Sequence, residues 1–490
     1  MKAQYVILFT TAAVQHWLDF YGRHLPPEHA EDLYQEWDIS LLSLVNQKLG
    51  RMELVLDGTG VYPHLAEWYD KLRLESCQMR LPVQWGGIGL RPQMVVSKLA
   101  YPASLASCAN EILGTMKFVG ADAPPDLYVQ QYNFCRKALI DIAPKLSGAV
   151  FVDVSAEIDQ MNLELLPTCL LVYLRQFQDH PELAVKFQKR LSKFVWQAYH
   201  ESLVAQYTAR NDLASVRRLS MYTGTAGVAG RIFTMIPTSP TTHLACAHVA
   251  QAVRQQLGAL PAAWMYLKEG GVRCRQCRAR VDFLQVPNHG LHCVPSKRGL
   301  VNDRHDAVCR LFASFCKRNG VPFLWAPKHV TGKETDVGMV FAQHAIQGDV
   351  TFIAKDAPSV YGSGARAEHS AAQGKIKRYK HLVEAVGELF FPLVFFTSGA
   401  YSASVSILLK RIRDAGEENG SSDPVGHQEM RDRLAATIVR YNALMGVHAA
   451  THQRADSDEY AKSRELKRAR KRRSHRAVAG EGDAGHGIEL

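Results

Sequence analysis

The sequence predicts a multidomain protein of the α and α/β classes. A helical N-terminal region leads into a small cysteine-bearing segment and then an α-β-β-β-α-β core. Three observations carry that prediction. Stretches such as ELAVKFQKRLSKFVWQAYHESLVAQY place apolar residues three and four apart with charges on the other face, the period of an amphipathic helix. A glycine-rich break, TGTAGVAGRIFTMIPTSP (Thr223 to Pro240), ends that pattern just before the segment CRQCRARVDFLQVPNHGLHC. Beyond it, short runs rich in β-branched and aromatic residues alternate with helical ones. The expected divisions are 1–215 (helical), 216–300 (linker and cysteine segment), 301–420 (α/β domain), 421–450 (C-terminal helix) and 451–490 (disordered basic tail).

With 490 residues, 47% apolar and 9% aromatic, the chain has the composition of a soluble globular protein large enough for several cores. Ten cysteines spread thinly exclude a dense disulfide scaffold and suit a reducing compartment. The opening MKAQYVILFTTAAVQHW reads as a buried helix rather than a signal peptide, because it has one lysine and a weak cleavage context. No apolar run approaches the ~18 residues of a membrane span, so no membrane partner is expected.

Taken in order, residues 1–215 are mostly helical, with one tight turn at RLPVQWGGIGLRP, where Gly86, Gly87 and Gly89 stand between prolines. DRHDAVCRLFASFCKRNG (Asp303 to Gly320) is a helix closed by Asn-Gly. VPFLWAP, TDVGMVFA and DVTFIA are three strands. KIKRYKHLVEAVG (Lys375 to Gly387) is a helix, FFPLVFFT a buried strand and ASVSILLKRIRDAG another helix. A long helix around MRDRLAATIVRYNALMG precedes a tail too polar to fold alone.

Two constellations carry chemistry. Cys274-x2-Cys277-x11-His289-x3-Cys293 offers four ligands at finger-like spacing for a structural Zn²⁺, with His292 competing with His289. Four filled positions leave no place for a reacting water, so such a zinc organises rather than cuts. Downstream, Asp336 and Asp349 each open a predicted strand, thirteen residues apart. If those strands form a hairpin, both carboxylates reach one end of the sheet and can share Mg²⁺, a hard ion that takes phosphate oxygens as further ligands. Lys375 is then the candidate for offsetting charge on the phosphate, with Lys377 and Lys380 behind it. Two ordinary surface aspartates would give the same spacing. Arg304-His305, early in the preceding helix, belongs near the same end of the sheet, although a solvated pair would look alike. Tyr379 reads as a core position.

Together these residues resemble the C-terminal region of site-specific non-LTR retrotransposon proteins. In that family a reverse transcriptase is followed by a CCHC zinc knuckle and a restriction-like endonuclease of the PD-(D/E)xK type. The resemblance rests on Cys274, Cys277, His289 and Cys293; on Arg304-His305; on Glu334-Thr335-Asp336; on Asp349-Val350-Thr351; and on Lys375 to Tyr379. FFPLVFFTSG is similar to the following strand, RLPVQWGGIGL to the segment after the polymerase palm, and RHLPPEH…EWD to the thumb region. It covers most of residues 1–415. Order and spacing carry it, since no single motif is specific.

Three departures qualify it. The palm and its Tyr-x-Asp-Asp motif are absent, so no reverse transcription is expected of this chain. Thr335 stands where the family has proline, and Thr351 where many such nucleases have their lysine. The family's lysine commonly lies on the next helix, which points to Lys375. The resemblance thus implies a thumb-like helical region, a zinc knuckle and a Mg²⁺-dependent nuclease that nicks target DNA. Asp336 and Asp349 would hold the metal, and Lys375 would offset developing charge. The partners implied are double-stranded DNA and, as a second candidate, element RNA.

The net charge of +11 is concentrated. Between 461 and 476, nine Lys/Arg face one Glu, a net +8, and the run includes Lys467, Arg468, Arg470, Lys471, Arg472 and Arg473. Such a run suits nuclear localisation, phosphate contact, or both. With Arg304, His305, Lys377 and Lys380 it makes up the expected nucleic-acid surface. Two other readings stand beside the nuclease. One is a zinc-containing, nucleic-acid-binding remnant that no longer cuts. The other is a helical RNA-binding scaffold with an incidental zinc site, which leaves the α-β-β-β-α-β pattern without a purpose.

Overall fold

The computed structural model describes residues 3–14, 21–48, 74–151, 163–223, 230–258, 272–273, 280–281, 291, 299–328, 332–354, 364–421 and 426–446. The protein is mostly helical, with a small four-stranded mixed sheet. Among the described residues no helix is long and apolar enough to cross a membrane.

The helical body contains α1 (Ala3–Phe9), α2 (Glu31–Lys48), α3 (Gln93–Ser107), α4 (Ala109–Phe118), α5 (Asp126–Ile142), α6 (Leu170–Asp179), α7 (Phe187–Ala209), α8 (Leu213–Tyr222) and α9 (Cys246–Leu257). Local chemistry sets several ends. Pro92 and Pro125 immediately precede α3 and α5, where a missing N–H costs no intrahelical bond. Asp212 caps α8 by accepting from Ser215 N at 3.0 Å. Leu139, Tyr132, Tyr173, Phe177, Phe187 and Leu191 join facing helices in one core. Within it Tyr132 and Tyr173 lie 4.7 Å apart, centroid to centroid, and Phe177 and Phe187 5.0 Å. The opening helix is buried as expected, through Val6 and Ile7.

The glycine turn at 86–89 is a docking point. A Cβ on Gly87 would lie 1.9 Å from Leu81 O, so only glycine fits. Gln256 of α9 then donates to both Gly86 O (3.0 Å) and Gly87 O (2.7 Å), and Gln78 donates to Gly86 O (3.0 Å). These buried bonds fix α9 against the body.

Strands β1 (Val272–Arg273) and β2 (Arg280–Val281) pair antiparallel, with Arg273 opposite Arg280. They bracket Cys274 and Cys277 in sequence. Cys274, Cys277, His289, His292 and Cys293 themselves lie outside the described residues, as do Lys467, Arg468, Arg470, Lys471, Arg472 and Arg473.

The α/β part runs α10 (Leu300–Arg318), β3 (Phe323–Trp325), β4 (Val337–Val340), β5 (Ala345–Ile353), α11 (Gly364–Glu384), β6 (Leu389–Phe396) and α12 (Ala403–Glu418). The sheet order is β3-β4-β5-β6: the first two pairings are antiparallel, and β5 with β6 is parallel. A parallel pair needs a crossover, and α11 supplies it. That helix starts at Gly364 rather than Lys375, so the polar stretch before the lysines is helical too. One sheet face, with Val337, Met339, Ile346, Val350, Leu393 and Phe395, packs on α10 and α12. The other buries Val394 and Phe396 against Met221 and Tyr222 of α8, with Ala372 of α11 beside them. On the α10 and α12 face Gly348 leaves room for its neighbours, since a Cβ would sit 2.8 Å from Leu393 Cδ1 and 3.0 Å from Val337 Cγ2.

The expected C-terminal helix spans 426–446 (α13) and serves two cores. Met430, Leu434 and Ile438 enter the sheet core, while Ala435, Ala436 and Val439 enter a core with Ile7, Val253 and Leu257. Spaced four apart, the first three form one stripe of the helix. An Arg231–Asp432 ion pair adds a link from the body to this helix.

Candidate active site

The β4–β5 register decides the geometry. The ladder ends with Val337 opposite Gly348, so Asp336 just before β4 and Asp349 within β5 both lie at that end of it. Asp336 N donates to Gly348 O at 3.0 Å, so Asp336 is tied to the residue that Val337 also faces and the regular pairing stops there. The two carboxylates are close enough that the charge of Asp336 acts on Asp349, and like charges so placed repel.

The two acids are held differently. Asp336 Oδ2 accepts from Val350 N at 2.6 Å and meets His305 Nε2 at 3.1 Å. Asp349 sits on a central strand, 2% exposed, and forms an ion pair with Lys375 of α11. Burial raises its carboxyl above the ordinary range and the Asp336 charge adds to the rise, against the pull of Lys375 and a hydrogen bond from Tyr379. His305 is raised to about 11, chiefly by its hydrogen bond to Asp336, so its ring is a cation at neutral pH.

Five side chains thus converge: His305 of α10, Lys375 and Tyr379 of α11, Asp349 of β5, and Asp336 just before β4. Lys375 and Tyr379 are four residues apart, one turn along the same helix face. Tyr379 is buried and packs on Phe390 with ring centroids 5.8 Å apart, as a core residue would. Its hydroxyl also reaches Asp349, which the core reading missed; the i to i+4 spacing from Lys375 was the available signal.

Other expected residues fall elsewhere. Lys377 and Lys380 are exposed, turned roughly 200° and 140° around α11 from Lys375 at about 100° per residue. They face solvent, away from the acids, and Lys380 pairs with Glu384 at 3.5 Å. Arg304, expected on the nucleic-acid surface, corrects that expectation. It is 4% exposed, bonds Asn442 Oδ1 through Nη1 at 2.5 Å, and lies over the Phe352 ring at 4.0 Å. Burial draws its guanidinium down to about 10. Asn442 belongs to α13 and donates to Thr397 O at 2.6 Å, so Arg304 joins helix to sheet instead of facing outward. Thr335, in the family's proline position, is fully buried and donates to Gln347 Oε1 at 2.6 Å; Gln347 in turn donates to Glu388 at 2.5 Å. A proline could make neither this bond nor the one from Thr335 N to Pro327 O at 3.2 Å.

Two carboxylates are a hard, oxygen-only donor set with too few protein ligands to enclose an ion. That suits Mg²⁺, which keeps waters and phosphate oxygens in its remaining positions. It does not suit a closed zinc site, and among the described residues no group of three or more His, Cys, Asp or Glu could hold a metal. Asp336 Oδ1 accepts no hydrogen bond from the described residues and remains able to take a ligand. The acid pair therefore fits a divalent cation shared with substrate.

The chain matches no protein-family model and no curated protein.

Proposed function

We propose that this protein is a metal-dependent endonuclease of retroelement origin that nicks DNA through a restriction-like α-β-β-β-α-β core. The observation that carries this reading is the placement of Asp336 and Asp349 at one end of the β4–β5 ladder, within electrostatic reach of each other, with Lys375 against the deeper acid. A divalent cation bound between these carboxylates would supply Lewis acidity toward a phosphodiester. The chain's own residues do the rest. Val350 N and His305 fix Asp336, and Tyr379 fixes Asp349. The Lys375 ammonium offsets the charge that builds on the phosphate as a water oxygen bonds to phosphorus and an ester P–O bond breaks. Exposed Lys377 and the basic run at 467–473 suit contacts to DNA phosphates, or to RNA, along a longer path. In this reading Cys274, Cys277, His289 and Cys293 hold a structural zinc, the β1–β2 pairing supports it by closing the chain around the Cys-x-x-Cys, and the protein works in the nucleus.

One observation favours a second reading. Both acids already have cationic partners from the chain itself, His305 and Lys375. A nucleic-acid-binding remnant that keeps its sheet but no longer cuts would retain such pairs as structure.

Purified protein incubated with supercoiled plasmid and Mg²⁺, beside Asp336→Ala and Asp349→Ala, separates the two. Nicking by wild type alone, with about one zinc per chain, supports the nuclease. DNA binding without nicking in Mg²⁺ or Mn²⁺ leaves the remnant, and absence of zinc removes the knuckle.

A further inference from the structure

We propose that Arg378 grips the phosphate next to the scissile one, so that the site takes two consecutive phosphates of a strand rather than one. This inference rests on the nuclease reading and names the substrate feature that the same site selects.

Two contacts fix which way α11 is turned. Lys375 forms its ion pair with Asp349 of β5, and Tyr379 packs on Phe390 of β6 with ring centroids 5.8 Å apart. At about 100° per residue, Tyr379 lies roughly 40° to one side of Lys375 and Arg378 roughly 60° to the other. Passing around the helix from Tyr379 to Lys375 leads from β6 to β5. The next step in that sense, to Arg378, leads toward β4, just before which Asp336 stands. Arg378 therefore flanks the acids, on the side from which Lys377 and Lys380 are turned away. The sheet in front of it is open. Val337 and Met339 point to the α10 and α12 side, so by alternation Gly338 and Val340 point to the α11 side, with Leu324 opposite Gly338. Val340 and Leu324 are both exposed.

The guanidinium is steadied there without being neutralised. Arg378 Cζ stands 5.1 Å from the centroid of the Tyr379 ring, and Lys375 Nζ stands 6.0 Å from the same centroid, so one ring supports both cations. Lys375 has Asp349 and Lys380 has Glu384, but among the described residues no carboxylate pairs with exposed Arg378. Side chains three apart on a helix stand about 5–6 Å from each other. Neighbouring phosphates of one strand are about 3.4 Å apart along the axis and further along the winding backbone. Lys375 beside the acid pair and Arg378 one turn on are thus spaced for consecutive phosphates. A planar guanidinium meets two oxygens of one phosphate, which an ammonium does not.

Thymidine 3′,5′-bisphosphate carries two phosphates on one nucleoside, whereas the 3′- and 5′-monophosphates of thymidine carry one. Titration calorimetry of the full chain in Mg²⁺ measures all three on wild type, Arg378→Gln, Arg378→Lys and Lys377→Gln. Arg378→Gln should weaken the bisphosphate about tenfold, leave the monophosphates unchanged, and show the same melting temperature. Arg378→Lys should fall between, and Lys377→Gln should match wild type. Equal loss on bisphosphate and monophosphates, or no loss on any, overturns the proposal. So does a bisphosphate that binds wild type no tighter than a monophosphate, or failure of all three to bind. Wild-type nicking of plasmid is scored separately. Nicking without an Arg378 effect sinks the second phosphate contact alone, whereas an Arg378 effect without nicking sinks the nuclease alone.

Discussion

The helical body and the sheet both bury charge, but against different partners. In the body, buried Asp38 accepts from Gln93 N at 2.7 Å and buried Arg218 donates to Ser215 Oγ at 2.7 Å, both neutral partners, beside buried phenols: Tyr132 donates to Pro167 O at 2.6 Å and Tyr173 to Pro102 O at 2.5 Å. Burial pushes both phenols up and keeps them uncharged. In the sheet, by contrast, buried Asp349 lies within reach of the like charge of Asp336, while Arg304 is buried against Asn442. Neutral polar burial supports a core at little cost, whereas buried charge costs several kcal/mol unless something compensates it. In the body hydrogen bonds compensate Asp38 and Arg218; in the sheet Lys375 compensates Asp349 against the charge of Asp336.

The largest effect that could break this contrast is on Asp349. Asp349→Asn should cut plasmid nicking about a thousandfold, or about 4 kcal/mol of transition-state stabilisation. It should not lower the melting temperature in metal-free buffer, because it removes a desolvated charge that Asp336 repels. Lys375 loses its partner but keeps about a quarter of its side chain in water. A fall of several degrees would mean that Asp349 is a structural anchor, and the contrast would collapse.

Phe177→Ala is the matching change in the body. Phe177 is buried among Tyr173, Phe151 and Phe187, and truncation should cost about 3–5 kcal/mol in chemical denaturation. Nicking per folded molecule should not change. A loss of rate without a loss of stability would show that the body contributes directly to the site.

Arg304 sharpens the comparison at a smaller scale. Arg304→Met keeps the volume over Phe352 and removes the buried charge, so stability should stay within about 1 kcal/mol. Arg304→Ala should cost about 2–3 kcal/mol, since it leaves a void and an unpaired Asn442. Neither should alter the salt dependence of DNA binding, whereas Lys377→Ala should reduce its slope by about 1 if Lys377 contacts a phosphate. A changed slope for Arg304→Met would return that residue to the nucleic-acid surface.

Arg304 also marks the limit of what the sequence discloses. The order of helices and strands from 300 to 420 is local, written in side-chain period and turn residues, and it was legible. The placement of Asp349 was not: the sequence predicts that it opens its strand, but β5 starts at Ala345, and only that earlier start brings Asp349 back beside the beginning of β4. Lys377 and Lys380 facing away from Lys375 follows from the 100° turn per residue and needed no structure. The fate of Arg304 was not legible. Its partner Asn442 is 138 positions away, on a helix whose second face belongs to another core. The clasp between Gln256 and the glycine turn, 170 positions apart, escaped for the same reason. Contacts between elements decide whether a polar residue is a surface group or a latch, and periodicity is silent on them.

The smallest expected effect concerns histidines outside the site. His200, His248 and His427 are all lowered from 6.5, each chiefly by burial, with neighbouring Arg440 adding to the effect at His248 and Arg413 and Arg431 at His427. A histidine that binds its proton less readily when folded contributes stability above its unfolded value of about 6.5, and that contribution is lost as pH falls through the folded value. The protein should therefore lose stability on acidification below about pH 6.5. The loss should be smaller in His200→Gln, whose amide can still meet Thr223 Oγ1, now 3.1 Å from the imidazole. Chemical denaturation at stepped pH measures it. Were the His200→Gln curve to run parallel to wild type, the acid sensitivity would belong to the charged sheet rather than to the body.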